Sequence, residues 1–169
     1  MITGHDSRWY RMELYTVSFF GHRVIDDFTS AEKKVDRLIR SLLMKSYVEF
    51  LVGRGGDFDQ IVASTVKRLK RIIRDDNNAL VWVLPYCTAE LRDNAESFHA
   101  YYDEIEICDD AANSHPQKAY QIRNRKMVDR SDLAVFYVNR NSGGAYQTLQ
   151  YAKKQQKAIL NLAWIDTWE

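Results

Sequence analysis

Short runs of consecutive apolar residues alternate along this chain with longer stretches in which apolar residues recur every three or four positions. The first pattern suits a strand buried on both faces, the second a helix with one buried stripe. Residues 15–20 form the first run, closed by Gly21. Thr29, with Glu32 three residues on, has the pattern of a capping box and predicts a helix start. Val35, Leu38, Ile39, Leu42 and Leu43 then mark the inner stripe of that helix. Residues 48–52 predict a second strand ended by Gly53, and Phe58, Ile61, Val62, Val66, Leu69, Ile72 and Ile73 a second helix. Residues 80–84 predict a third strand, stopped by Pro85. Residues 88–103 read as a less regular helical stretch with Leu91, Ala95 and Phe98 inward, and 104–108 as a short strand. Pro116 fits the first turn of a helix that runs to Arg130. Residues 133–138 are a further strand, a last helix runs from Gly143 through Lys157, and 158–162 close the series. Strands alternating with helices in this way predict an α/β fold with a parallel sheet covered on both faces. In such sheets ligands sit beyond the carboxyl ends of the strands, near the switch in strand order.

Composition narrows the function classes. Hydrophobic residues are 46% of the chain and charged residues 28%, which rules out disorder throughout. The 24 basic and 23 acidic side chains leave a net charge of +1, which argues against a general polyanion binder, so nucleic acid is not the expected partner. One basic cluster exists, Lys67, Arg68, Lys70, Arg71 and Arg74 on the outer face of the second helix. It reads as a solvated face with cations near the negative end of the helix dipole. The two cysteines, Cys87 and Cys108, form no C-x-x-C pair and read as reduced thiols in or near the core of a cytosolic protein. No apolar run approaches the ~18 residues of a membrane span. Residues 1–12 read as a polar leader containing Trp9 and Tyr10, without the apolar stretch of a signal peptide. Met12 makes residues 1–11 an extension or a misplaced start, and 13–169 a single domain. Cytoplasmic location is the expectation.

The candidate chemistry follows the strands. After the first come Gly21, His22 and Arg23; after the second, Gly53, Arg54, Gly55, Gly56, Asp57, Phe58 and Asp59; after 133–138, Asn139 through Gly144. Six of the seven glycines lie in these three places. One such loop would serve as a tight turn. Three at one sheet edge, with His22, Arg23 and Arg123 as neighbours, point to an anionic ligand, because a glycine pair opening a helix leaves its first amides free. The P-loop pattern, the G-x-G-x-x-G turn and the G-x-S-x-G elbow are all absent. His5, His22, His99 and His115 show no metal-ligand spacing, so no metal is expected.

Taken together, Phe20-Gly21-His22-Arg23, Gly55-Gly56-Asp57-Phe58-Asp59, Leu84-Pro85, Arg123-Asn124 with Met127, Val128, Asp129, Ser131 and Asp132, Gly143-Gly144 with Thr148, Tyr151, Ala152 and Lys154, and Asn161-Leu162 resemble the SLOG superfamily. The likeness spans residues 16–163, and the branch it looks closest to is that of the small bacterial YspA/YpsA-like proteins. The resemblance implies a Rossmann-like, doubly wound, mostly parallel sheet and a nucleotide-type ligand. The superfamily includes phosphoribohydrolases that cleave the base from a nucleoside monophosphate, members that sense ADP-ribose-like molecules, and the DprA proteins that handle single-stranded DNA. In the hydrolase branch an arginine and a glutamate do the chemistry. Arg123 matches the arginine, but Gln150 stands where the glutamate would be, and a neutral amide neither activates water nor stabilises a cationic sugar. Asp59 and Asp129 are the displaced carboxylates that could substitute.

The expected roles follow from this likeness. Ser142, Gly143, Gly144 and Ala145 form a phosphate cradle. Arg123 pairs with the phosphate, and Asn124 bonds to base or ribose. Gly21, His22, Arg23, Gly53, Gly55 and Gly56 line the site, His22 and Arg23 acting either on the ligand or as structural caps. Asp59 caps a helix or reads a ribose; Asp57 points away from phosphate or reads a ribose hydroxyl. Asp132 buttresses the helix before it. Trp164 and Trp168 cover a sheet edge or an interface. The reading is a nucleotide-derivative binding protein, a sensor or adaptor with no obligatory cofactor, forming a homodimer or higher homo-oligomer. An N-glycoside hydrolase is the alternative and single-stranded nucleic-acid binding the second.

Overall fold

The structure is a computed structural model and describes residues 13–166; the leader and Trp168 lie outside them. Six strands form one parallel sheet: β1 (Leu14–Gly21), β2 (Tyr47–Val52), β3 (Asn78–Leu84), β4 (Glu104–Ile107), β5 (Leu133–Tyr137) and β6 (Ile159–Asn161). Their order is β4-β3-β2-β1-β5-β6, so the chain builds outward from β1 in one direction and then returns to β1's other side. The switch lies between β1 and β5, where Phe20 pairs with Phe136 and Gly21 with Tyr137. The fold is the expected Rossmann-like α/β architecture.

Side-chain alternation divides the core between the two faces of the sheet. Val17, Phe19, Phe50 and Leu80 point to one face. There they meet α1 (Phe28–Leu42) through Val35 and Ile39 and α2 (Asp57–Ile72) through Ile61, Val62 and Leu69. Phe20, Leu51, Val81 and Phe136 point to the other. They meet α6 (Pro116–Arg130) through Met127 and Val128 and α7 (Gly144–Lys154) through Leu149 and Ala152. Continuous apolar strands are what burial on both faces requires.

The irregular stretch 88–103 is two short helices, α3 (Ala89–Asp93) and α4 (Ala95–Tyr101), and a further short helix, α5 (Asp109–Ala112), precedes α6. The last strand is followed by a single 3-10 turn, Leu162–Trp164. Some expectations need correction. The first helix begins one residue before Thr29, and its cap is Asp27, whose carboxylate accepts the amide of Ser30 at 3.0 Å. Cys87 is exposed in the loop after β3, while Cys108 is half-buried. Asp132 follows the end of α6 and is tied to β1: its carboxylate accepts the Thr16 amide at 2.8 Å and its own amide donates to the Thr16 carbonyl. Trp164, in the turn after β6, is 71% exposed. Among the described residues no helix is long and apolar enough to cross a membrane.

Candidate functional site

At the carboxyl end of the sheet the β1, β2 and β5 loops and the start of α6 enclose a cleft of about 450 Å³. Its loops are tied together by backbone. The Asp57 amide donates to the Arg23 carbonyl at 2.8 Å, and the Asp57 carboxylate accepts the Ile25 amide at 3.0 Å. Asp57 therefore points away from the cleft and clips one loop to the next. Gly56 sits in that clip, where a Cβ would come within 2.6 Å of the Arg23 Cα. On the other side of the switch His22 is buried; its amide donates to the Tyr137 carbonyl at 3.3 Å, and its Nε2 accepts the Asn139 amide at 3.2 Å. Burial and the Arg140 cation push its pKa below the ordinary histidine value, against a smaller pull from Asp26, which favours the neutral acceptor. His22 thus staples the ends of β1 and β5 while lining the cleft. Asn161 holds the β5 exit with a bond in each direction to the Val138 backbone, at 3.1 and 2.9 Å.

The far wall is the start of α7. Gly143 has φ +92°, a region side-chain-bearing residues rarely adopt, and no side chain caps this helix. Ser142, Gly143, Gly144 and Ala145 line the cleft, so the uncapped helix terminus is turned toward it with the positive end of the macrodipole. A chain of hydrogen bonds holds this turn from behind. Arg123 Nε donates to Asn124 Oδ1 at 3.0 Å, Asn124 Nδ2 to Thr148 Oγ1 at 3.1 Å, and Thr148 Oγ1 to the Gly144 carbonyl at 2.8 Å. Asn124 lines the cleft, yet both ends of its amide are engaged within the protein.

Arg123 does not line the cleft. Its Nη1 donates to the Val83 carbonyl at 2.8 Å at the end of β3, and its guanidinium lies 5.3 Å from the Tyr120 ring centroid. The Arg123 guanidinium is thus engaged with Val83 and Asn124 behind the cleft lining. Gly53 lies there too: a Cβ on it would be 3.1 Å from Arg123 Nη1 and 3.3 Å from Asp59 Oδ2. Asp59 lines the cleft. Burial raises its pKa to about 6, against the Arg123 cation and the amides of Gly55 and Gly56, which pull it down. Those amide bonds give it the capping role at the start of α2. Asp129 is elsewhere, accepting the Tyr151 hydroxyl at 2.7 Å on the surface of α6 and α7. Gln150 is exposed and also outside the cleft.

Gly21, His22, Arg23, Gly55 and Gly56 line the cleft as expected; Gly53 is buried behind it. Sequence reasoning named the loop that holds Arg140 without singling that residue out, and it missed Tyr120 and Gln121. Arg140 sits three residues before the glycine pair, and that proximity was the available signal. Tyr120 and Gln121 had none, since their placement depends on how α6 is rotated. Among the described residues no group of three or more His, Cys, Asp or Glu side chains could hold a metal ion.

No protein-family model matches the chain, and no curated protein matches its sequence. Solved structures do. The chain resembles DNA processing protein A (DprA) from Streptococcus pneumoniae with a TM-score of 0.64 and 12% identity, over 88% of this chain and 50% of that one. It resembles DNA processing protein A from Helicobacter pylori, a structure concerned with that protein's binding of single-stranded DNA, with a TM-score of 0.60 and 15% identity, over 86% of this chain and 63% of that one. The chain therefore spans half to two-thirds of the length of these proteins. At such identities the likeness concerns the fold alone.

Proposed function

We propose that the chain binds a nucleotide-type anion in the switch-point cleft and acts as a ligand sensor or adaptor. The observation that carries this is the uncapped start of α7 at Gly143, turned into a cleft that Arg23 and Arg140 also line. Amides at a helix terminus with two nearby guanidinium groups suit phosphate. The resemblance to YspA/YpsA-like proteins supports the same ligand class. The test is equilibrium dialysis of the protein against a panel of nucleotides, dinucleotides and ADP-ribose-type compounds, with mass spectrometry of both compartments. Gly144→Asp puts a carboxylate in the first turn of α7, which helices tolerate well. It is expected to abolish retention while leaving the fold intact; unchanged retention would sink the proposal.

A second reading is favoured by Asp59. A carboxyl in the cleft wall with a pKa of about 6 is suited to passing a proton near neutrality, as hydrolysis of an N-glycosidic bond requires. Water would add to the sugar carbon and the proton would go to the departing base. Free base and ribose phosphate in the dialysate, lost in Asp59→Asn, would establish the hydrolase.

Nucleic acid is the third reading, supported by what the Helicobacter pylori protein binds. The basic face of α2 adds little to it. Arg68 pairs with Asp36, Lys70 with Asp103 and Arg74 with Asp76, so much of that charge is neutralised locally.

A further inference from the structure

The cleft contains one feature that the phosphate reading leaves unused. Three aromatic side chains line it, and two of them, Phe19 and Phe20, are core residues with 1% and 5% exposure. The third, Tyr120, is 46% exposed. It stands on the first turns of α6, with Gln121 and Asn124 beside it on the same wall. Its ring is braced. Tyr86, from the loop after β3, packs against it edge-on at 6.0 Å between centroids and 77° between planes, and the Arg123 guanidinium lies 5.3 Å from its centroid. Tyr86 is itself 37% exposed. A large apolar ring left open beside an anion site, yet held by neighbours, has little freedom to lose when something flat lies on it. Arg123, anchored by Val83 and Asn124, draws on the negative face of the same ring.

We infer that Tyr120 is a stacking platform for an aromatic base, so that the cleft selects ligands in which a base is joined to a phosphate over sugar phosphates and free phosphate. The inference rests on the proposed phosphate cradle and adds to it the residue that reads the other end of the ligand. The base can belong to a free nucleotide or to a nucleotide within a single strand, and both present the same chemistry to Tyr120.

The test is calorimetric titration of the whole chain and of Tyr120→Ala, Tyr120→Leu and Tyr120→Phe with ribose phosphate, adenosine monophosphate and a short oligothymidylate. Thermal melts check that each variant folds, which the exposure of Tyr120 favours. In the wild type, adenosine monophosphate binds more tightly than ribose phosphate. Tyr120→Ala and Tyr120→Leu lose roughly 5- to 100-fold in affinity for the base-bearing ligand, the range that base–aromatic stacking gives on alanine substitution. Their affinity for ribose phosphate is unchanged, and Tyr120→Phe behaves as wild type. A loss confined to adenosine monophosphate assigns the platform to free nucleotides, and a loss confined to the oligonucleotide assigns it to a strand. Ribose phosphate bound as tightly as adenosine monophosphate would overturn the platform and leave the phosphate cradle standing. Equal losses for ribose phosphate and adenosine monophosphate in Tyr120→Ala would also overturn it. Binding of none of the three probes would overturn the cradle and the platform together.

Discussion

Gly53 has no side chain where Asp59 and Arg123 converge behind the cleft, and a Cβ there would crowd both groups. The carboxyl is caught between burial, which favours the neutral acid, and a neighbouring guanidinium, which favours the anion; burial prevails and the pKa rises to about 6. Carbon-13 NMR of the Asp59 carboxyl is expected to give a midpoint near 6, and Arg123→Met is expected to move it higher still, since it removes a charge that lowers it. The same shift has a sign in stability. The folded pKa lies above the ordinary value of 3.8, so the unfolded chain gives up its proton first as pH rises. The stability that Asp59 contributes is therefore lost between pH 3.8 and about 6 and is level above that. Urea unfolding across this window is expected to show the wild type losing stability relative to Asp59→Asn as pH rises from 3.8 to about 6. A midpoint near the ordinary carboxylate value would remove the basis for acid–base work by Asp59.

At the scale of elements, α6 is the most heavily used piece of the chain. Its beginning carries Tyr120 and Asn124 to the cleft, and its end carries Arg130 to the opposite end of the sheet. There Arg130 Nη2 meets both oxygens of Glu49 at 3.2 and 3.1 Å, and the same guanidinium also bonds Glu106 of β4. Glu49 is a buried carboxylate within β2 that also accepts the Thr16 hydroxyl at 2.7 Å. Two carboxylates raise the pKa of Arg130 above its usual value. Arg130→Met leaves Glu49 buried without its cation. Breaking such a pair costs about 3–5 kcal/mol when fully buried, and about 2 kcal/mol is expected here because the Arg130 side chain is 38% exposed. Chemical denaturation measures it.

Elements of this kind were legible because apolar spacing survives burial on either face; all six strands were anticipated to within a few residues. The cap of α1 was not, since Asp27 and Thr29 are both good capping residues and only the loop geometry chooses between them. In the site, glycine loops were legible because close backbone approach demands glycine wherever it occurs. The direction of Arg123 was not, because it depends on a hydrogen bond to Val83, forty positions away in sequence.

For the whole molecule, the important fact is that β1 and β5, distant in sequence, are brought together at the cleft. His22 is the link that reports on this closure. Its lowered pKa means that protonation costs more in the folded state, so its contribution is present above pH 6.5 and is lost as pH falls through its folded pKa. His22→Gln keeps an acceptor for the Asn139 amide without titrating. It is expected to abolish the acid-side loss of stability that His22 causes, read as the difference between wild type and variant in urea unfolding as pH falls below 6.5.

The sheet that builds this cleft also ends in a particular way. Its two outer strands, β4 and β6, are only four and three residues long. Glu104 places negative charge on β4, Glu106 is covered by Arg130, and β6 turns at once into the 3-10 turn at Leu162. Short, charged or quickly deflected margins offer poor templates for a further strand. Fibril-like growth by sheet extension is discouraged at both margins, and copies of this chain that associate are expected to meet through helices and loops, leaving the backbone edges unpaired.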